Sequence, residues 1–304
     1  MNEIKQEKRP VNKSAVVKIV IWSVVFCLLS GILLAGIAGG VENLNIFGLP
    51  GVHISFGGFT YEDVDEYSVG DAAVKATVTD LEINWVAGSI TVIPSDTDEI
   101  RVTEAYSGDD NDLRLRWRIK NGKLTVQFRK STVFGTSNSV SKDLTVAIPA
   151  AMLEAMDEVE IHTVSGDVRF TGNANEFTLE AVEGNLTVEG DVGDLEVDAV
   201  DGNLTFTGSV RTAAVACANT DVTMYLDMAT ALSFDQVDGD VHLYLSDEIK
   251  GFSAELDSIS GEISVEGFDI GSVSGKSARW GDGGLRIEMD GVRAELEIKK
   301  LTND

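Results

Sequence analysis

The chain has 304 residues, 50 acidic against 24 basic side chains, and a formal net charge of −26. A surface this acidic repels nucleic acid and anionic lipid, which argues against a DNA- or RNA-binding role. The only two cysteines, Cys27 and Cys217, lie in segments of different character, so no disulfide is predicted to support the fold.

Residues 19–41 form a run of 23 uncharged, mostly apolar residues, which is long enough for one helix to cross a bilayer. Basic side chains precede the run, and the first one after it is Lys75. This asymmetry predicts a transmembrane helix with residues 1–18 in the cytoplasm and the rest outside the plasma membrane. A signal peptide cleaved near Ala38 is the alternative, but its apolar core would exceed the usual length.

The segment after the predicted helix, residues 42–75, is expected to be a juxtamembrane stalk, and the ordered domain is predicted over residues 76–304. Within this domain, residues 76–150 contain several alternating apolar and polar runs, which are typical of strands in hairpins. The dipeptide Asn121-Gly122 between two of these runs predicts a tight hairpin turn. One short helical turn is expected near residues 152–156.

Residues 155–300 repeat one short phrase six times, beginning with Val164-Ser165-Gly166-Asp167-Val168. Its central positions are 166, 184, 202, 220, 239 and 261, so the steps are 18, 18, 18, 19 and 22 residues. A fixed short period indicates units that bury their apolar sides only by stacking on their neighbours. The sequence therefore predicts an all-β fold, a single-stranded β-solenoid or β-helix-like repeat domain with about 18–22 residues per coil.

Superposing the repeats aligns apolar side chains into columns that are expected to face the core. One column contains Ile161, Leu179, Val197, Val215, Phe234 and Leu256, another Val168, Leu186, Leu204, Val222, Val241 and Ile263, and a third Phe170, Val188, Phe206, Met224, Leu243 and Val265. Cys217 aligns with Ala181 and Ala199, which predicts a small core residue and not a nucleophile.

Each repeated phrase is interpreted as a corner of a coil. Its glycine would supply a positive φ, its Asp or Asn the turn, and its two aliphatic residues the core. Residues 285–298 look like the final strands of the solenoid, with charged alternate positions that would discourage further stacking. The segment 280–284, Trp-Gly-Asp-Gly-Gly, is expected to form an end corner or a cap.

Acidic side chains next to the corner glycines would align into two carboxylate-rich rows along one edge. They are ordinary turn residues, or they bind Ca²⁺ through carboxylate and carbonyl oxygens. The weak calcium candidates are Asp167, Asp201, Asp221, Asp238 and Asp240. The histidines in the repeats, His162 and His242, occupy expected outward positions about four coils apart, too far to share a metal. With no catalytic motif and no cofactor-binding motif, the chain is predicted not to be an enzyme and to need no cofactor.

The segments 81–90, 98–102 and 144–149, together with Val164-Ser165-Gly166-Asp167-Val168, resemble the bacterial putative-adhesin family with β-strand repeats. The resemblance spans about residues 80–300 and implies a toastrack-like β-solenoid of unknown function, often tethered by one membrane helix in Gram-positive bacteria. It implies a non-enzymatic extracellular domain that adheres to or binds an envelope ligand or a membrane protein. The alternative is a module that senses envelope stress through a membrane partner.

Overall fold

The computed structural model describes residues 52–55, 58–131, 140–236, 238–270 and 273–301. The predicted cytoplasmic tail and transmembrane segment lie outside these residues, and so do residues 42–51, 56 and 57 of the predicted stalk. In the described part of the chain, no helix has both the length and the apolar character needed to cross a membrane.

Strands dominate the described residues. The strands of the N-terminal part are β1 Val52–Ser55, β2 Gly58–Tyr61, β3 Ser68–Val69, β4 Ala72–Val74, β5 Asp80–Ala87, β6 Ile90–Ser95, β7 Ile100–Glu104, β8 Arg116–Lys120, β9 Lys123–Gln127 and β10 Leu144–Pro149. The strands that follow are β11 Met156–Ser165, β12 Val168–Thr171, β13 Ala174–Glu183, β14 Leu186–Glu189, β15 Val192–Gly208, β16 Val210–Leu226, β17 Ala231–Gln236, β18 Asp238–Leu245, β19 Gly251–Ser260, β20 Ile263–Glu266, β21 Val273–Ser274, β22 Ser277–Gly281 and β23 Leu285–Lys300. A 3-10 helix at Val64–Glu66 and helix α1 at Ala150–Leu153 complete the elements, and α1 confirms the predicted helical turn.

Each coil consists of two strand segments joined at a corner, and successive coils pair in parallel. The first segments, in β11, β13, β15 and β16, form one sheet, and the second segments, in β12, β14, β15 and β16, form another. Pairs such as Leu179 with Val197 and Leu186 with Leu204 confirm the 18-residue register. We call these two layers the first sheet and the second sheet, and their inner sides enclose one apolar core.

The inward columns predicted from the sequence form the middle of this core. Ile161, Phe170, Val188, Val197 and Phe206 are all essentially inaccessible to solvent. Burying a side chain of this size contributes about 1.5–3 kcal/mol, so the stacked columns supply much of the stability of the solenoid. Cys217 is buried and pairs in register with Ala199, as the sequence predicts.

The N-terminal end of the solenoid closes with antiparallel strands. The β8–β9 hairpin turns at Asn121 and Gly122, whose φ values of 54° and 85° confirm the predicted tight turn. Strand β9 adds in parallel to β5, and β10 adds in parallel to β6. The stalk prediction ends too late in the chain, because β3 and β4 pair with β8 and β7 and are part of this closure.

The C-terminal end differs from the prediction in the order of its strands. Residues 285–298 are not the last coil, because β23 lies between the coil of β17 and β18 and the coil of β19 and β20. In the first predicted column, Met289 therefore separates Phe234 from Leu256. The predicted cap is confirmed in outline: β22 runs antiparallel along β19, and Trp280 packs near Phe252 and Phe268.

The corners explain why the repeat contains glycine. Gly166, Gly184 and Gly202 have φ values of 143°, 144° and 146°, which confirms the predicted positive φ. A Cβ atom at Gly202 would lie 1.8 Å from the carbonyl oxygen of Gly184, so successive corners approach too closely for any side chain.

The assignment of both aliphatic residues of the phrase to the core is wrong for the first one. Val292 and Ile259 occupy this position in their coils and are 43% and 84% exposed. Side chains alternate between the two sides of a strand, and the first aliphatic residue of the phrase falls on the same side as the outward-facing residues of the first sheet.

Candidate functional site

An open groove of about 640 Å³ follows the corner from the N-terminal coils to the coil of β15, where the glycines leave only backbone. Its walls are the residues on either side of the corner positions, Ala87, Gly88, Ser89, Ser141, Asp143, Ser165, Gly166, Asp167, Glu183, Gly184, Asn185, Asp201 and Gly202. The two acidic rows expected from the sequence meet in this corner groove, and several of their oxygens already accept hydrogen bonds.

The row after the glycines forms a ladder of side-chain hydrogen bonds between coils. The Asp167 Oδ1 atom accepts hydrogen bonds from the backbone N–H and the side-chain amide of Asn185, both at 2.9 Å. The Oδ1 atom of Asn185 accepts the equivalent pair from Asn203, at 3.2 and 3.0 Å. These side chains therefore join one coil to the next and supply partners for backbone N–H groups at the corner.

The other calcium candidates are placed as follows. The Asp221 Oδ1 atom accepts a hydrogen bond from the backbone N–H of Asp240 at 3.0 Å, and that of Asp201 accepts one from the Asn219 amide at 3.1 Å. For Asp238 the structure describes only the backbone, which pairs with Arg293. Among the described residues, no three His, Cys, Asp or Glu side chains converge to hold a metal ion. Calcium binding stays a prediction.

The histidines of the repeats lie on different sheets. His162 is outward in strand parity, yet it is only 8% exposed, because the strand neighbour Glu180 lies 3.3 Å from its Nδ1 atom. His242 in β18 contacts Glu297 at 2.9 Å. Cys217 lies in the core, where burial raises the pKa of its thiol to about 11. Such a thiol is a poor nucleophile at neutral pH.

The outward side of the first sheet carries a group of carboxylates. We call this surface the acidic face, and its central carboxylates are Glu158, Glu160, Glu176, Glu180, Asp194, Glu196 and Asp198. In-register pairing sets Glu176 opposite Asp194 and Glu180 opposite Asp198. Neighbouring strands are about 4.8 Å apart, so the carboxylates of Glu180 and Asp198 repel each other. Asp194 differs, because Arg211 hydrogen-bonds to its carboxylate and lowers its pKa.

The charge of the acidic face is compensated unevenly. At one end, Lys123 contacts Glu158 at 3.1 Å and Glu160 at 3.2 Å; burial alone would lower its pKa, but these contacts raise it. In the middle, burial and the neighbouring carboxylates Glu196 and Glu180 raise the pKa of Asp198. No basic side chain within the described ranges pairs with Glu196 or Asp198.

The sequence predicts polar, outward-facing positions between the corners, Glu180 and Asp198 among them, but the prediction does not extend to the gathering of carboxylates on the first sheet. The sequence does contain a pattern that indicates this surface. Five carboxylates all have even residue numbers in coils that repeat every 18 residues, namely Glu176, Glu180, Asp194, Glu196 and Asp198. An even repeat keeps the same parity in every coil, so carboxylates at even positions must align on one side of the sheet.

Comparison with solved structures gives matches over most of the ordered region. A "putative adhesin" from Bacteroides fragilis shares 14% identity, covering 77% of this chain and 97% of that chain with a TM-score of 0.44. A "putative cell adhesion protein" from Clostridium sporogenes shares 12%, covering 77% and 100% with a TM-score of 0.34. A "putative lipid binding protein" from Parabacteroides distasonis shares 11%, covering 76% and 96% with a TM-score of 0.27.

A search of curated proteins found no match. The family model described as Toastrack DUF4097 matches residues 78–300, which include β11 to β23 and nearly all the coils described above. The stacked two-sheet coils thus agree with the family resemblance seen in the repeated phrase, and the chain belongs to the Toastrack DUF4097 family.

Proposed function

We propose that this protein is a non-enzymatic binding protein of the bacterial cell envelope, and that its acidic face binds a positively charged surface ligand or membrane protein. The observation that carries the proposal is the pair Glu180 and Asp198, kept directly opposite each other on neighbouring strands beside Glu196. Like charges in this position destabilise a sheet by roughly 0.2–1 kcal/mol per pair.

Repulsion between neighbouring carboxylates lowers the stability of the folded protein, and a bound cationic ligand can remove that repulsion. A cationic group bound between Glu196 and Asp198 would lower the repulsion and gain two charge-assisted hydrogen bonds. Ala214 and Ala216 occupy the same two columns on the next coil, so small side chains leave room beside the carboxylates. Ionic strength should weaken such binding, because exposed charges are screened.

The location of the protein is part of the proposal. We propose that residues 19–41 anchor it in the plasma membrane of a Gram-positive bacterium, with the N-terminus in the cytoplasm and the solenoid outside. In that setting the acidic face is presented to cationic groups of the envelope, and the role is adhesion or ligand binding. The second candidate role is sensing of envelope stress, in which the ligand-bound solenoid acts through a membrane partner.

Neutralising the acidic face tests the proposal. The full-length Glu196→Gln/Asp198→Asn variant should fold with equal or slightly higher stability, yet bind poly-L-lysine at least about tenfold more weakly at low salt. The matched control Asp109→Asn/Glu154→Gln removes the same two charges from exposed positions elsewhere and should bind as the unmodified protein does. Equal weakening in both variants would show that only net charge matters and would refute a specific face.

Cross-linking in the native membrane then separates the two roles. Covalent capture of an envelope polymer or surface protein by the unmodified chain, lost in the Glu196→Gln/Asp198→Asn variant, would support adhesion or ligand binding. Capture of a membrane-embedded regulator alone would support sensing.

A further inference from the structure

The outward side of the second sheet differs in chemistry from the acidic face. One column contains Thr187, Thr205 and Thr223, and the next column contains Thr207, Tyr225 and Tyr244. We call these six residues the threonine–tyrosine face. Their in-register strands bring six side-chain hydroxyl groups together on one surface.

The two tyrosines form a stacked pair on this surface. Their ring centroids are 4.7 Å apart with an angle of 14° between the planes, and Tyr225 is 36% exposed. On the other side of Tyr225, the next residue in the column is the small, exposed Thr207. An exposed tyrosine ring beside a small residue offers an apolar ring surface and a polar hydroxyl group, which suits a ligand that has both apolar and hydrogen-bonding surfaces.

On the coils at either side of the threonine–tyrosine face, the bordering charges form ion pairs. On one border, Arg169 pairs with Glu189 at 2.9 Å. On the other, Glu297 accepts contacts at 2.9 Å from both His242 and Lys299. The six residues of the face are themselves uncharged, in a chain whose formal net charge is −26, while Asp221 and Asp227 place carboxylates at the two ends of the strand segment that carries Tyr225.

The hydroxyl groups of this face are available to a ligand. Across the parts of the chain that the structure describes, no side-chain hydrogen bond engages Thr187, Thr205, Thr207, Thr223, Tyr225 or Tyr244. Each hydroxyl can donate one hydrogen bond and accept others, so the surface can match a partner that itself carries donors and acceptors in any order.

We propose that the threonine–tyrosine face binds an uncharged polysaccharide chain. A sugar ring offers a C–H surface to Tyr225 and hydroxyl groups to the threonines, which is the combination that this face complements. An anionic polymer would be repelled by the whole domain, and a cationic one would be drawn to the acidic face on the opposite side. The protein then holds two different ligands on its two outer surfaces, a role beyond the cationic partner proposed above.

Binding of three neutral hexasaccharides tests the proposal. The full-length protein, kept in a detergent without sugar headgroups, is passed over immobilised cellohexaose, chitohexaose and mannohexaose. At least one should bind, with an affinity that changes little between low and moderate salt, because no ion pair is formed. The Tyr225→Ala/Tyr244→Ala variant should bind that sugar at least about tenfold more weakly.

Two further variants make the result specific. Thr205→Val keeps the shape of the side chain and removes one hydroxyl, so it should fold normally and still weaken binding severalfold. Glu196→Gln/Asp198→Asn should bind the sugar as the unmodified protein does, which separates this site from the acidic face. The proposal is overturned if none of the three sugars binds, if Thr205→Val and the tyrosine variant bind normally, or if neutralising the acidic face abolishes binding.

Discussion

Replacing one corner glycine by alanine tests the account of the repeat most directly. In Gly202→Ala, the new Cβ atom would start 1.8 Å from the carbonyl oxygen of Gly184, whereas real Cβ atoms stay beyond about 3.0 Å. The coils must therefore separate locally by more than an ångström. The φ value of 146° adds strain for any residue with a side chain.

The size of the effect follows from what the separation breaks. A strained φ costs about 1–3 kcal/mol. The shift also stretches the bonds from the Gly184 N–H to the Asp201 carbonyl oxygen, at 3.1 Å, and from the Asn203 N–H to the Asn185 side chain, at 3.2 Å. Two such bonds are worth about 1 kcal/mol each. We expect Gly202→Ala to lower the free energy of unfolding by about 3–5 kcal/mol.

Urea denaturation followed by circular dichroism measures this loss, with Gly275→Ala as the matched control. A Cβ atom at Gly275 would meet nothing closer than 3.9 Å, so the control should change stability by less than about 0.5 kcal/mol. A loss of under about 1 kcal/mol in Gly202→Ala, or equal losses in both variants, would refute the close approach of the corners as the reason for glycine.

The remaining predictions concern a buried ion pair and a buried thiol. Lys142→Met should lower the free energy of unfolding by about 3–5 kcal/mol in the same assay, because the side chains of Lys142 and Glu104 are both fully buried and form a 2.6 Å ion pair. The double variant Lys142→Met/Glu104→Leu should recover part of this lost stability, since no buried charge is then left unpaired. A double variant less stable than Lys142→Met would contradict this reasoning. Cys217, whose pKa is raised from 9.0 to about 11, should resist iodoacetamide at pH 9 until the protein is unfolded, as peptide mass spectrometry of the labelled residue would show. As the pH rises from about 9 to 11, the Cys217 thiol loses its proton in the unfolded chain before it does so in the folded protein. The unmodified protein should therefore lose stability relative to Cys217→Ala over this range. Parallel curves of unfolding free energy against pH for the two proteins would argue against a buried thiol.

The sequence predicts the middle of the solenoid well because local period and global packing agree there. Leu179, Val197 and Val215 recur with one spacing, and every coil offers the same inward pattern to its neighbours. The glycine corners are predictable for the same reason. Each coil imposes the same backbone constraint at its corner, so glycine recurs there with the same spacing.

The order of coils at the C-terminal end could not be read from the period. Phe234, Leu256 and Met289 are equally acceptable inward neighbours, so apolar matching does not decide which strand lies in the middle. The position of β23 is set by long-range pairing, which a list of spacings does not contain.

The chemistry of the two outer surfaces could not be predicted for a different reason. Thr205, Tyr225 and Asp198 are each unremarkable at an outward strand position, and only the register between coils makes columns of like chemistry from them. The second corner was missed too, where Asn173 and Asp191 accept hydrogen bonds from the next coil as Asp167 does at the first.

The position of β23 has a consequence for how the protein is made. Strand β23 pairs with β17, β18, β19 and β20, yet it is the last of these to be synthesised. Until residues 285–300 arrive, the strands on either side keep an unpaired edge, which attracts other chains. A chain that stops before residue 285 is therefore incomplete inside its sheet and not merely shorter. This single missing strand therefore leaves open edges in the middle of the coil stack and not only at its end.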